Sequence, residues 1–206
     1  MKGHILSVIV ILCCTLVCTA EEYVPCYLEL QNGESFECYA KLHGGMYLKY
    51  KMSIEDEPLS VKAKNVLFAR LHYETGTVIV SGMPVVRVYD AKTGKYNRRS
   101  HVEWIYFLND PIIEDVSVYY HLDVTVIFLS LVTINVYGCY KRGTSYGVDL
   151  FDPYSANRSS TLRKAGALFF SDCDDVVQFL KNKTNQFKQV NDFIGIVQEY
   201  NHCTKQ

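Results

Sequence analysis

The chain has 206 residues, of which 49% are hydrophobic and 21% charged, and a formal net charge of −1. That balance can bury a core and carries no charge excess, which excludes a disordered chain, a coiled coil and a dedicated basic arm for nucleic acid. No nucleic-acid partner is therefore expected.

The first element is a leader. Lys2 and His4 precede an uncharged apolar run, residues 5–17, which ends in Cys18-Thr19-Ala20 before Glu21-Glu22. About thirteen apolar residues fall short of the roughly twenty that a membrane helix needs, and small residues at Cys18 and Ala20 suit cleavage after Ala20. Residues 1–20 read as a secretory signal peptide and 21–206 as a single secreted domain with a C-terminal helical segment. Loss of Lys2 takes the formal charge from −1 to −2, so electrostatics alone selects no partner. Secretion makes the remaining cysteines, Cys26, Cys38, Cys139, Cys173 and Cys203, disulfide candidates. It also makes Asn157-Arg158-Ser159 and Asn182-Lys183-Thr184 candidate N-glycosylation sites.

From Tyr23 to about Phe151 short β-branched and aromatic runs alternate with turn residues, the pattern of an antiparallel sandwich or barrel. Runs at 28–30 and 36–42 flank Asn32-Gly33, a hairpin signal. A two-residue turn there would put the sulfurs of Cys26 and Cys38 on opposite faces. A three-residue loop, Gln31-Asn32-Gly33, with Gly33 left-handed in a bulge, instead sets Leu30 against Glu34 and Cys26 against Cys38. Secretion and sequence proximity favour the second register and a Cys26–Cys38 bond. Residues 28–50, LELQNGESFECYAKLHGGMYLKY, resemble the first motif of Sm-like RNA-binding proteins: a strand, an Asn-Gly turn, a second strand and a loop leading to Met-Asn. Tyr47 stands where that family places its base-contacting asparagine, so the resemblance implies a shared hairpin pattern without the base-reading residue.

Further strand-like runs lie at 46–52, 61–73, 77–80, 85–89, 102–108 and 116–120. Within RVYDAKTGKYNRRSH, residues 87–101, a turn at 91–94 would present Lys92, Lys95, Arg98 and Arg99 with Tyr96 at a hairpin tip. Such a patch suits a sulfated glycan, an acidic lipid headgroup or an acidic protein surface. Residues 116–140 are the most apolar internal stretch. Their uncharged centre is about fifteen residues long and rich in Val, Ile and Thr, and period two places Val124, Val126, Val132, Ile134 and Val136 on one face. The stretch reads as a long buried strand, or two strands with a bend near Ser130, rather than as a membrane helix. Lys141-Arg142 just beyond it keeps membrane association as the alternative.

Towards the C-terminus the period changes. Residues 152–165 read as a polar surface connection carrying the first sequon. Ser171 is placed to cap a helix with Asp172, Asp174 and Asp175 in its first turn. Val176, Leu180, Phe187, Val190, Ile194 and Val197 then recur at helical spacing, so one helix, or two broken near 183–186, covers roughly 172–201 and packs on the sheet. Cys173 and Cys203 bracket this segment. An unbroken helix would hold them about 45 Å apart, whereas a disulfide spans only about 4.4–6.8 Å. They pair only if the chain folds back. Otherwise one of them must reach Cys139 as a staple between helix and sheet; the Cys173–Cys203 pairing ranks slightly first and leaves Cys139 as the candidate free thiol.

No G-x-S-x-G elbow, P-loop, H-E-x-x-H or cysteine-protease signature occurs, and no Cys-x-x-Cys spacing suggests zinc. His43, His72, His101, His121 and His202 each read as turn, rim or surface residues. No catalytic residue, metal ligand or cofactor is assigned. Sixteen tyrosines suit half-buried strand positions first and adaptable recognition surfaces second. The expected protein is α+β, with a β-rich sandwich or barrel over about 23–151 and a helix or helical hairpin over about 172–201. Its expected function is secreted, glycosylated, disulfide-containing binding of an extracellular protein, glycan or acidic surface without catalysis, through Lys92, Lys95, Tyr96, Arg98 and Arg99. The alternative is a carrier of a small apolar ligand in a lipocalin-like barrel, and the third reading is a secreted hydrolase.

Overall fold

The computed structural model describes residues 22–43, 46–90, 95–127 and 130–204, and their side chains except at 86–101 and 124–130. Residues 1–20, expected above to be a leader, lie outside the described residues. The fold is β-rich and mostly antiparallel with a helical C-terminal region, an α+β protein. Two compact units divide at Val78/Ile79. The boundary falls inside a strand, so no linker composition marks it.

The first unit holds β1 (Val24–Leu30), β2 (Ser35–His43), β3 (Tyr47–Lys51), β4 (Leu59–Lys62) and β5 (Val66–Tyr73), hydrogen-bonded in the order β5-β1-β2-β3-β4. The β1–β2 connection has the three-residue form. Leu30 N donates to Glu34 O at 2.8 Å, Gly33 N donates to Leu30 O at 3.0 Å, and Gly33 sits at φ +88°. Asn32 Oδ1 accepts from Glu34 N at 3.1 Å. Glycine is required there because a Cβ makes left-handed backbone costly. The loop sets the register, and Cys26 lies directly opposite Cys38. Alternation along both strands then turns Cys26, Leu28, Cys38 and Ala40 into the core with Leu48, Ala69 and Leu71. The run 61–73, read above as one strand, is broken by a 3-10 turn at Ala63–Asn65. Buried Ala63 donates its N–H to Met46 O, and Asn65 O accepts from Gln31 N. These tertiary hydrogen bonds outweigh the extended preference of the run.

β6 (Gly76–Asp90) begins in the first unit and runs into the second. The sequence suggests two short runs separated at Gly82-Met83-Pro84. The strand instead continues through two register shifts, between Pro84 and Val86 and between Val86 and Val88, and such irregularities are where a strand tolerates proline. β7 (Lys95–Phe107), β8 (Val116–Ile127), β9 (Ser130–Lys141) and β10 (Gly147–Phe151) follow. Each of β6–β10 pairs with the next, and β10 also pairs in parallel with β6 through Gly147↔Val85 and Val148↔Val86, so the five strands close on themselves. The apolar stretch 116–140 takes the two-strand form, with Ile127 paired to Ser130 across residues 128–129. All five residues of β10 are buried, because one face meets the barrel interior and the other meets helices; with no alternation to read, the sequence conceals it as a strand.

Three helical segments cover the outer face of β8–β10. α1 runs through Arg158–Thr161, a π-helical Leu162–Gly166 and Ala167–Phe169. It replaces most of the connection expected at 152–165. Its polar residues are not merely solvated: Ser159 Oγ donates to Phe187 O at 2.9 Å and the Arg163 guanidinium donates to Asn185 O, while Leu162 and Ala165 are buried. α2 (Asp174–Lys181) and α3 (Val190–Cys203) form a hairpin, and the Cys173–Cys203 disulfide closes its open end with a Cα–Cα separation of 6.5 Å. Ser171 does not cap α2; Cys173 occupies that position with no side-chain cap bond, and the acidic first turn is Asp174 and Asp175. α3 instead has a reciprocal capping box between Gln189 and Asp192. Phe151 stacks on Phe193 at a centroid distance of 5.8 Å, and each such fully buried large side chain contributes about 1.5–3 kcal/mol.

Candidate functional site

The closed strands β6–β10 enclose a polar cluster. Period two along β7, β8 and β10 points Glu103, Tyr119, His121 and Asp149 inward among Met83, Ile105, Phe107 and Val136. His121 is fully buried. Its Nδ1 lies 3.0 Å from Glu103 Oε2, its Nε2 lies 3.0 Å from Asp149 Oδ2, and Tyr119 OH donates to Asp149 Oδ1 at 3.0 Å. With a carboxylate at each ring nitrogen, both nitrogens act as donors and the ring is an imidazolium. Burial opposes that charge, but hydrogen bonds and Coulomb attraction from Asp149 and Glu103 outweigh it and raise the pKa from 6.5 to about 9. Burial, then the Asp149 charge, pushes the Tyr119 hydroxyl well above its ordinary value, so it stays a proton donor.

Gly138 and Gly147 make room for the Tyr119 ring. A Cβ at either position would overlap ring atoms, and at Gly138 it would also meet the Val148 carbonyl. This cluster corrects the reading of His121 as a turn, rim or surface residue. His43, His72 and His202 are exposed as read, and the side chain of His101 lies outside the described residues. The two carboxylates sit on opposite sides of the ring, so the three side chains do not converge on a common point, and no group of described residues is placed to hold a metal ion. Cys139 pairs with Val118 and packs on the helix-facing side of β9, whereas His121 points inward, so they make no nucleophile–base pair. The cluster fills and orders the barrel; it presents no substrate-accessible nucleophile.

The surface offers a different kind of site. A groove of about 550 Å³ runs between α2 and α3. Val176, Ile196 and the Cys173–Cys203 disulfide line it, and Phe179, 50% exposed, forms a wall. Gly195 opens it further, because a Cβ built there meets nothing within 4 Å. Asp175, Asp192 and Glu199 supply three rim carboxylates against one histidine, His202. Asp192 is engaged in the capping box, accepting from Lys188 N and Gln189 N, while Asp175 and Glu199 have no cationic partner among the described residues. Behind the disulfide, Lys141 Nζ meets Asp172 Oδ2 at 2.6 Å and Tyr200 OH donates to the same oxygen at 2.8 Å, fixing the hairpin to β9.

The basic residues Lys92, Lys95, Arg98 and Arg99 with Tyr96 have no described side chains. Lys92 lies outside the described residues altogether, and the backbone of Lys95, Tyr96, Arg98 and Arg99 belongs to β7, with Asp90 paired to Lys95. Asn157 and Asn182 are both exposed. Cys26, Cys38 and Cys139 are buried free thiols, so the structure holds the expected Cys173–Cys203 bond and, although the expected register brings Cys26 opposite Cys38, not the expected bond between them. The sequence reading missed the groove because Phe179 and Gly195 look like ordinary members of a helical stripe. It missed the polar cluster although Asp149 in GVDLF and His121 in VYYHLDV are each an ionisable group inside an apolar run, and two such groups satisfy each other most cheaply. No helix among the described residues is long and apolar enough to cross a membrane. Comparison with protein-family models, curated proteins and solved structures finds no match for this chain.

Proposed function

We propose that the protein is a secreted, glycosylated binding protein that engages an extracellular protein partner without catalysis, through the groove between α2 and α3. The observation that carries this reading is the groove itself: an apolar floor, an exposed aromatic wall and an acidic rim, on a hairpin held by a disulfide. Preorganised apolar pockets bounded by charge suit recognition of a segment that inserts an apolar side chain and carries positive charge beside it. The leader and the exposed sequons at Asn157 and Asn182 support the secreted, glycosylated part, and the basic run of Lys92, Lys95, Arg98 and Arg99 with Tyr96 is a second candidate contact for an acidic surface. The carrier reading has less support, because Tyr119 and the polar cluster occupy the barrel interior among the described residues.

The test is titration of the purified protein with an amphipathic Lys/Leu peptide and its Glu/Leu counterpart. The Lys/Leu peptide is expected to bind, and Phe179→Ala or the groove-filling Gly195→Leu is expected to weaken it by about tenfold, the size of a modest hot spot. Equal binding of both peptides, or affinity unchanged in both variants, overturns the assignment.

A further inference from the structure

In the first unit, Cys26 and Cys38 are cross-strand neighbours on the same inward face of the β1–β2 hairpin. The backbone bond between Leu30 and Glu34, stepped by four residues along each strand, puts the pair at a hydrogen-bonded position, where Cα atoms lie about 5.5 Å apart. That is within the range a disulfide spans. Both residues border a cavity of about 420 Å³ whose walls include Pro25, Tyr39, Met52 and His72. A buried, directly facing cysteine pair bordering a cavity differs from Cys139, which is wholly enclosed among apolar side chains.

We infer that Cys26 and Cys38 form a thiol–disulfide exchange site that reacts with small-molecule disulfides entering this cavity. Cys38 is the attacking sulfur. The Cys26 thiol donates a hydrogen bond to it, which holds the Cys38 pKa below its ordinary value, whereas that same bond and then burial push the Cys26 thiol up. The Cys38 thiolate attacks one sulfur of a disulfide RS–SR; the new S–S bond forms as the old one breaks, and RS⁻ leaves and takes a proton. Cys26 then loses its proton to solvent and attacks the Cys38 sulfur of the mixed disulfide, expelling the second RS⁻, which is protonated in turn. Two electrons pass from the cysteine pair to RS–SR, giving an intramolecular Cys26–Cys38 bond and two RSH. Closure fixes the hairpin covalently and ends at a protein disulfide, with no adduct retained.

The experiment uses the full secreted chain, equilibrated with mixtures of oxidised and reduced glutathione from strongly reducing to strongly oxidising, then acid-quenched, alkylated and peptide-mapped. Cys26 and Cys38 are expected to convert together from two alkylated thiols to one disulfide across the series, while Cys173–Cys203 and alkylation of Cys139 follow their own dependence. In Cys26→Ser the glutathione adduct is expected to accumulate on Cys38, and Cys38→Ser should show adduct formation on Cys26 slowed by about tenfold or more, the consequence of a raised thiol pKa. Thiols that stay alkylatable at every glutathione ratio overturn the inference. So does a Cys26–Cys38 bond that persists at the most reducing ratio, and so does faster adduct formation in Cys38→Ser than in Cys26→Ser.

Discussion

The two units solve the same packing problem in opposite ways. The first turns apolar side chains and two thiols inward and fixes its register with a single glycine turn. The second closes β6–β10 around an imidazolium held by two carboxylates, one of which also accepts from Tyr119, and covers β8–β10 with disulfide-linked helices. An apolar core tolerates a missing group at the cost of a cavity. A buried ionic core does not, because removal of the cation takes away the counter-charge of the carboxylates around it. The difference teaches that single substitutions in the second unit should be more damaging and more dependent on pH.

The largest effect is expected at His121. Replacing it with Leu leaves the Glu103 and Asp149 carboxylates without their cation and should cost about 3–5 kcal/mol in denaturant unfolding. A loss under about 1 kcal/mol would show that the cluster holds no ionic pair. The same group predicts a pH dependence. Its folded pKa, about 9, lies above the ordinary 6.5, so the protonated form is the one that folding favours. The stabilisation is complete below about pH 6.5 and is lost as pH rises through about 9. The unfolding midpoint of the second unit should fall across that window in the wild type and lose that slope in His121→Leu.

Next comes the disulfide. Its partners are separated by 30 residues, and replacing both with Ser should cost about 3–4 kcal/mol and appear first as loss of helical circular dichroism. An unchanged midpoint would place the stability of the hairpin in α2–α3 packing alone.

A smaller and more diagnostic effect follows from the Tyr119 ring. Gly147→Ala should destabilise by about 1–3 kcal/mol, and Tyr119→Leu in the same chain should recover part of it, because the nearest obstructing atoms all belong to that ring. Gly138→Ala should not be rescued in this way, since the Val148 carbonyl also stands in its path. Equal rescue at both positions would contradict the packing.

The smallest effect belongs to the first unit. Gly33→Ala should cost about 1 kcal/mol, the price of a Cβ on left-handed backbone, and should leave the second unit unaffected. Insensitivity of the first unit to this change would break the assignment of its register to the loop.

Legibility in the sequence follows these contrasts. The register of β1 and β2 was readable because it depends on a local device, Gln31-Asn32-Gly33, whose bond pattern and glycine conformation are properties of a few adjacent residues. The fold-back between α2 and α3 was readable because Cys173 and Cys203 cannot meet across a straight helix. β10 was not, since burial on both faces removes the alternation that identifies a strand. α1 was not, because Ser159 and Arg163 spend their polar groups on carbonyls of the 182–189 segment, a partner invisible to local pattern. The polar cluster was half-visible: its members stand out as ionisable residues in apolar runs, but their convergence depends on a barrel closed by residues from β7, β8 and β10.

One feature at the rim of the barrel bears on solubility. β7 ends at Phe107, and where its ladder to β8 stops, two asparagines continue the bonding. Asn109 Oδ1 accepts from Val118 N at 2.9 Å, and the Asn201 amide accepts from Val116 N at 2.9 Å and donates to Val116 O at 2.7 Å. A carboxamide carries the same donor and acceptor as a peptide unit, so Asn201 acts as a one-residue strand, while Asn109 supplies an acceptor beside the Leu108 N–H that donates to Val118 O. The start of β8 therefore offers no open hydrogen-bonding row to a neighbouring molecule. Converting Asn201 to Asp keeps the acceptor and removes the donor, which would expose a backbone carbonyl at the edge of one of the most apolar strands in the chain. The length of peptide committed to guarding that edge is two side chains, supplied from a turn and from a helix.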